Sequence, residues 1–115
     1  YAKLLPARKS VMSMAQLLAQ SDILVMPSVF AEPFGMLSVE AQYAGCRVVA
    51  CNIGGLPETN CGLLTLIEPH EPTSLLAGIQ KAINLGPVTK KQRDTAVNKF
   101  TLSQSVDDMC KVLGV

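Results

Sequence analysis

The sequence has no tryptophan and only two tyrosines and three phenylalanines among its 115 residues, so its apolar half is mostly aliphatic. Charge of one sign is also lacking. Ten basic and nine acidic side chains leave a net charge of +1, which excludes a strong field for nucleic acid or an anionic membrane. No apolar run approaches the ~18 residues that a membrane-spanning helix needs, and no signal-peptide pattern is present, so no spanning segment is expected. Peripheral membrane contact stays open. The four cysteines, Cys46, Cys51, Cys61 and Cys110, form no C-x-x-C pair and have no histidines at metal-ligand spacing. No metal site is expected, and free thiols packed as small hydrophobes imply a reducing compartment, the cytoplasm by expectation. The single histidine, His70, lies in Pro69-His70-Glu71-Pro72 and reads as a surface turn residue rather than a catalytic base.

What is present is an alternation of short apolar segments and amphipathic ones, within the length of one domain. Apolar residues Val11, Met14, Leu17 and Leu18 recur at helical spacing between Ser10 and Gln20. Asp22 to Met26 follows as a strand apolar on both faces, the kind that sits in a helix-covered parallel sheet. Met36 to Ala44 reads as a helix closed by Gly45, and Arg47 to Cys51 as a second buried strand. Gly62 to Ile67 makes a third strand. Pro72 opens a helix to Leu85, with Leu75, Leu76, Ile79 and Ile83 as its expected buried stripe and Gly86-Pro87 as its stop. Lys90 to Lys99 and Ser103 to Leu113 are two further helices, and Lys90, Lys91 and Arg93 read as a solvated face. The expected class is α/β, a partial Rossmann-like parallel sheet of about three strands flanked by helices. The first strand has only one obvious neighbour, so its other edge should be completed by more of a larger sheet, by a second chain or by self-association.

Glu32 and Glu40 stand eight positions apart, around Pro33-Phe34-Gly35-Met36-Leu37-Ser38-Val39. The first acid falls in the loop after the first strand and the second about one turn into the helix. In open parallel sheets, ligands bind at the carboxyl ends of strands, and helix N-termini there favour anions. Pro33 holds Glu32 in extended geometry. Gly35 admits close approach of a ligand, and the amides of Gly35, Met36 and Leu37 are free donors for phosphate or sugar hydroxyls. Glu40 can accept bonds from two vicinal hydroxyls, as an acid does at a ribose. Hydroxyls and phosphate together describe a nucleotide sugar. Glycosidase chemistry fits less well, because retaining glycosidases hold two carboxyls about 5 Å apart across one bond.

Pro27-Ser28, Glu32-Pro33-Phe34-Gly35, Glu40-Ala41, Gly45, Val48-Val49-Ala50 and Gly54-Gly55-Leu56-Pro57-Glu58 together resemble the signature of retaining glycosyltransferases of group 1, also called family 4, which have the GT-B fold. The resemblance implies a C-terminal, nucleotide-sugar-binding domain over residues 1–115. The acceptor-binding N-terminal domain and the first strands of the donor domain would lie elsewhere, in the same parent protein or in a second chain. By that resemblance Glu32 is catalytic, lying by the transferred sugar. Phe34 and Gly35 meet sugar hydroxyls, Met36 and Leu37 lie near the pyrophosphate, and Glu40 holds the ribose. Gly54, Gly55 and Glu58 form a second wall of the donor cleft. The donor is a substrate and no cofactor or metal is implied. Lys3, Arg8 and Lys9 map to no role in the diphosphate grip. A non-catalytic module that keeps the cleft for binding, regulation or assembly is the alternative.

Overall fold

The computed structural model describes Leu4 and residues 11–115. Ser10, Lys3, Arg8 and Lys9 lie outside the described residues. Among the described residues, five helices and three strands run in the order α1 (Val11–Ala19), β1 (Ile23–Met26), α2 (Met36–Tyr43), β2 (Arg47–Cys51), a 3-10 turn (Leu56–Thr59), β3 (Leu64–Ile67), α3 (Pro72–Asn84), α4 (Lys90–Val97) and α5 (Leu102–Leu113). The strands form one parallel sheet ordered β1-β2-β3, with Val25 opposite Val49 and Val49 opposite Thr65.

Strand β2 is buried on both faces, as its unbroken Val48-Val49-Ala50 run requires. Val48 and Ala50 pack with Met26, Ala41, Leu18 and Leu56 beneath α1 and α2. Val49 and Cys51 pack on the other face with Ile67 and Ala82 of α3. Arg47 begins this strand yet is buried, because its Nε donates to the Gly86 carbonyl at 2.7 Å and its Nη2 to the Leu85 carbonyl at 3.3 Å. A cation there meets the negative end of α3. Strand β1 is only half-buried over Ile23 to Val25, and its second edge is unpaired among the described residues.

The stripe of α3 differs from the expected one. Leu75 and Ile79 face the core, but Leu76 and Ile83 are exposed, and the buried residues are Gly78 and Ala82. Gly78 lies so close to Ile67 and Val49 that a Cβ there would strike the Ile67 side chain. The helix thus rests on the sheet through its smallest residues, which turns the larger ones outward.

All four cysteines are free. Burial pushes the thiols of Cys46, Cys51 and Cys61 up from their ordinary value, so they remain neutral and pack as hydrophobes. His70 is exposed in a turn, with a left-handed φ of 64°. Lys90, Lys91 and Arg93 are exposed on α4, although Arg93 also donates to the Tyr43 carbonyl at 3.3 Å.

Candidate functional site

The loops following β1 and β2 meet at the start of α2. The Gly55 amide donates to the Glu32 carbonyl at 2.8 Å. A Cβ on Gly54 would lie 2.5 Å from the Glu32 carbonyl oxygen and 2.7 Å from its nitrogen. One on Gly55 would strike the Pro33 carbonyl oxygen and lie 2.7 Å from the Phe34 Cα. Two backbones therefore touch directly, which only glycine permits. Leu56, fully buried, lies under the Gly35 backbone and fixes the height of this junction.

Glu32 is half-buried at the junction. Its Oε1 accepts from the Ser28 hydroxyl at 3.2 Å, and its Oε2 lies beside Gly35. Gly35 is the N-cap of α2 and takes the left-handed conformation, φ 93° and ψ 58°. That turn carries the chain from the loop into the helix within one residue, at a cost an L side chain would raise. No side chain caps α2. Among the described residues, the amides of Gly35, Met36 and Leu37 have no partner, whereas that of Ser38 turns back to the Gly35 carbonyl at 3.0 Å. Helices α4 and α5 are closed instead by Thr89 and Thr101.

Met36 and Glu40, four residues apart on one face of α2, are both exposed. Leu37 is half-buried and packs into the core beneath. Glu58 is exposed on the 3-10 turn, its amide bonded to the Gly55 carbonyl at 3.1 Å. The fold thus gathers Glu32, Phe34, Gly35, Met36, Gly54 and Gly55 at one junction. Glu40 stands a turn away along α2. Among the described residues no hydrogen bond joins Glu32 to Glu40 or Glu58.

Sequence reasoning missed what holds this junction together. The Thr59 hydroxyl donates to the Leu56 carbonyl at 2.7 Å, and the Ser38 and Thr59 hydroxyls are 2.8 Å apart, so Ser38 is the donor between them. Gln42 Nε2 donates to the Thr59 carbonyl at 2.8 Å and to Ser38 Oγ at 3.2 Å. Its Oε1 accepts from the amides of Cys61 at 2.8 Å and Leu63 at 3.3 Å. Each of these side chains is buried, and every polar atom is matched, as burial in a low dielectric demands. The signal in the sequence was Ser38 and Gln42 at helical spacing on the same face as buried apolar residues.

A groove of about 1080 Å³ between α4 and α5 is lined by Lys90, Lys91, Asp94, Lys99, Phe100 and Asp108, among others. Both of its helices follow β3 in the chain, and its charges are exposed. The junction, by contrast, is a ligand-site geometry of open α/β sheets, with donors and an acid at the carboxyl ends of two adjacent parallel strands.

The model of the family described as glycosyl transferases group 1 matches residues 6–99. The chain is 32% identical over 97 residues to an uncharacterized 41.2 kDa protein in the cps region of Klebsiella pneumoniae, covering 81% of this chain and 27% of that protein. It is 44% identical over 55 residues to the D-inositol 3-phosphate glycosyltransferase of Paenarthrobacter aurescens, covering 46% of this chain and 13% of that enzyme. A crystal structure of a glycosyltransferase from Rickettsia africae superposes with a TM-score of 0.65 at 28% identity, over 84% of this chain and 29% of that one. The chain belongs to the group 1 glycosyltransferases, with an α/β architecture similar to that solved structure. It spans less than a third of the length of each of these relatives.

Proposed function

We infer that this chain is the donor-binding part of a glycosyltransferase, a C-terminal domain that holds a nucleotide sugar for transfer with retained anomeric configuration. The carrying observation is the junction itself: the two glycine-bearing loops locked to each other beside the uncapped N-terminus of α2. Free amides of Met36 and Leu37, at the positive end of a helix dipole, suit the diphosphate. As the sugar leaves, negative charge grows on the diphosphate oxygen, and fixed donors aimed there are worth more than in water. No metal is needed in this scheme.

Glu32, oriented by Ser28, presents its carboxylate to the sugar and the reacting carbon. The Phe34 and Gly35 backbone meets sugar hydroxyls. Glu40, on the exposed face of α2, accepts from the ribose hydroxyls. Gly54, Gly55 and Glu58 form the facing wall. The acceptor binds to another part of the whole protein, which also supplies the cations of the diphosphate grip.

Titration of the chain with UDP, GDP and ADP, followed by amide chemical shifts, tests this. The expected shifts are confined to Gly35–Glu40 and Gly54–Glu58. If saturating amounts of all three leave these amides unmoved, the donor reading fails. A cleft that binds nucleotide in a whole protein without sugar transfer would instead support a non-catalytic module. Glu40→Ala is expected to weaken nucleotide binding more than Glu32→Ala, because the ribose belongs to the nucleotide and the sugar does not. An equal or larger loss at Glu32 would reverse the two roles.

A further inference from the structure

Phe100 belongs to the short turn that joins α4 to α5, yet it touches both ends of α2. Its ring meets that of Phe34 edge-on, with centroids 5.7 Å apart and planes at 82°. Its backbone brackets the Tyr43 hydroxyl, which donates to the Phe100 carbonyl at 3.1 Å and accepts from the Phe100 amide at 3.3 Å. Tyr43 is the last residue of α2, and Phe34 immediately precedes its Gly35 cap. Arg93 adds a bond to the Tyr43 carbonyl, and the fully buried Ala96 packs with Val39 in the middle of the helix. The α4–α5 turn is thus a brace along α2, fixed at the helix C-terminus by hydrogen bonds and meeting Phe34, just ahead of its N-cap, edge-on where Phe34 also packs against the Val39, Cys61, Leu63 and Ala96 cluster.

We propose that Phe100 is a positioning residue for the donor loop: its ring fixes the Phe34 side chain and, through it, the left-handed Gly35 cap and the first amides of α2, where a nucleoside diphosphate sugar is held. The proposal rests on the donor-binding reading above. Phe34 and Gly35 are consecutive, so a backbone shift at an unbraced Phe34 displaces the Gly35 amide and the start of α2 that follows it. An edge-to-face aromatic pair supplies enough energy to select one loop geometry among neighbours of similar stability.

The test compares wild type, Phe100→Ala, Phe100→Tyr and the exposed neighbour Leu102→Ala by melting temperature, by ligand-free amide shifts and by titration with UDP, GDP and ADP. Phe100→Ala should displace the amides of Phe34 to Leu37 before any ligand is added and weaken nucleotide binding roughly three- to tenfold. Phe100→Tyr, which keeps the ring, should restore both, and Leu102→Ala should change neither. If Phe100→Ala does not fold, Phe100→Leu takes its place, keeping apolar bulk without the aromatic edge. A variant that melts earlier but binds nucleotide with wild-type affinity and leaves the loop amides in place overturns the proposal, since Phe100 would then only stabilise. Failure of the wild type to bind any of the three overturns the donor reading instead. The ligand-free shifts then still decide whether Phe100 sets the loop.

Discussion

Helix α2 buries Ser38, Val39, Ala41 and Gln42, two of them polar, whereas α5 buries none of its residues. Yet α5 has the cleaner amphipathic pattern, with Leu102, Val106, Met109 and Val112 along one face, all exposed. Its charge is similarly ordinary: Lys111 lies 3.5 Å from Asp108 in a solvated pair that contributes little. The contrast shows that periodicity reports what a helix is able to bury, not what covers it. In α2 the helix is held by satisfied polar groups, and these determine its position relative to the facing loop more narrowly than apolar contact alone.

The strongest way to break the contrast is at the loop junction that α2 supports. Gly55→Ala would drive a Cβ into the Pro33 carbonyl and the Phe34 backbone, neither of which can rotate away. A loss of about 3 to 5 kcal/mol in denaturant unfolding is expected, and a near-neutral result would mean that the loops are not locked. Next comes Gln42→Leu, close in volume but without the amide. It leaves the Cys61 and Leu63 amides unpaired in the interior and the Thr59 carbonyl with only the weak Cys61 thiol bond at 3.3 Å, with an expected cost of about 2 to 4 kcal/mol. The smallest effect is expected on α5, where Val112→Ser should change stability by less than about 0.5 kcal/mol. If it costs as much as Gln42→Leu, the difference between the two helices is not real.

Much of the fold was readable from the residues. The apolar runs marked β1 and β2 to within a residue, because a helix-covered parallel strand leaves an uninterrupted hydrophobic signature. Gly45 and Gly86 both have the positive φ expected where a helix stops. The facing of α3 was not readable. Leu76 and Ile83 are as apolar as Leu75 and Ile79, and only the approach of Gly78 to Ile67 decides which pair turns inward. At the site, the pairing of Glu32 with a helix start followed from strand, proline and glycine in order. The Ser38–Thr59–Gln42 network did not, since hydroxyls and amides have no preferred face until a partner is placed. Phe100 was hidden for the same reason, its partners being far away in sequence.

The hydrogen bonds that frame the junction join residues no more than 23 positions apart, from Glu32 to Gly55, while the Tyr43–Phe100 bond spans 57. Closing the longer loop costs about 1 kcal/mol more chain entropy, by the logarithmic dependence on length. The cleft is therefore local in the folding sense: β1, α2, β2 and the 3-10 turn can assemble it as one cooperative unit, and the brace from α4 and α5 docks afterwards. The same ordering predicts that the brace opens at lower free energy than the unit it supports, which native-state hydrogen exchange would read as faster exchange in α4 and α5 than in α2. The Phe34–Gly35 loop would then pass through an unbraced state while α2 stays folded.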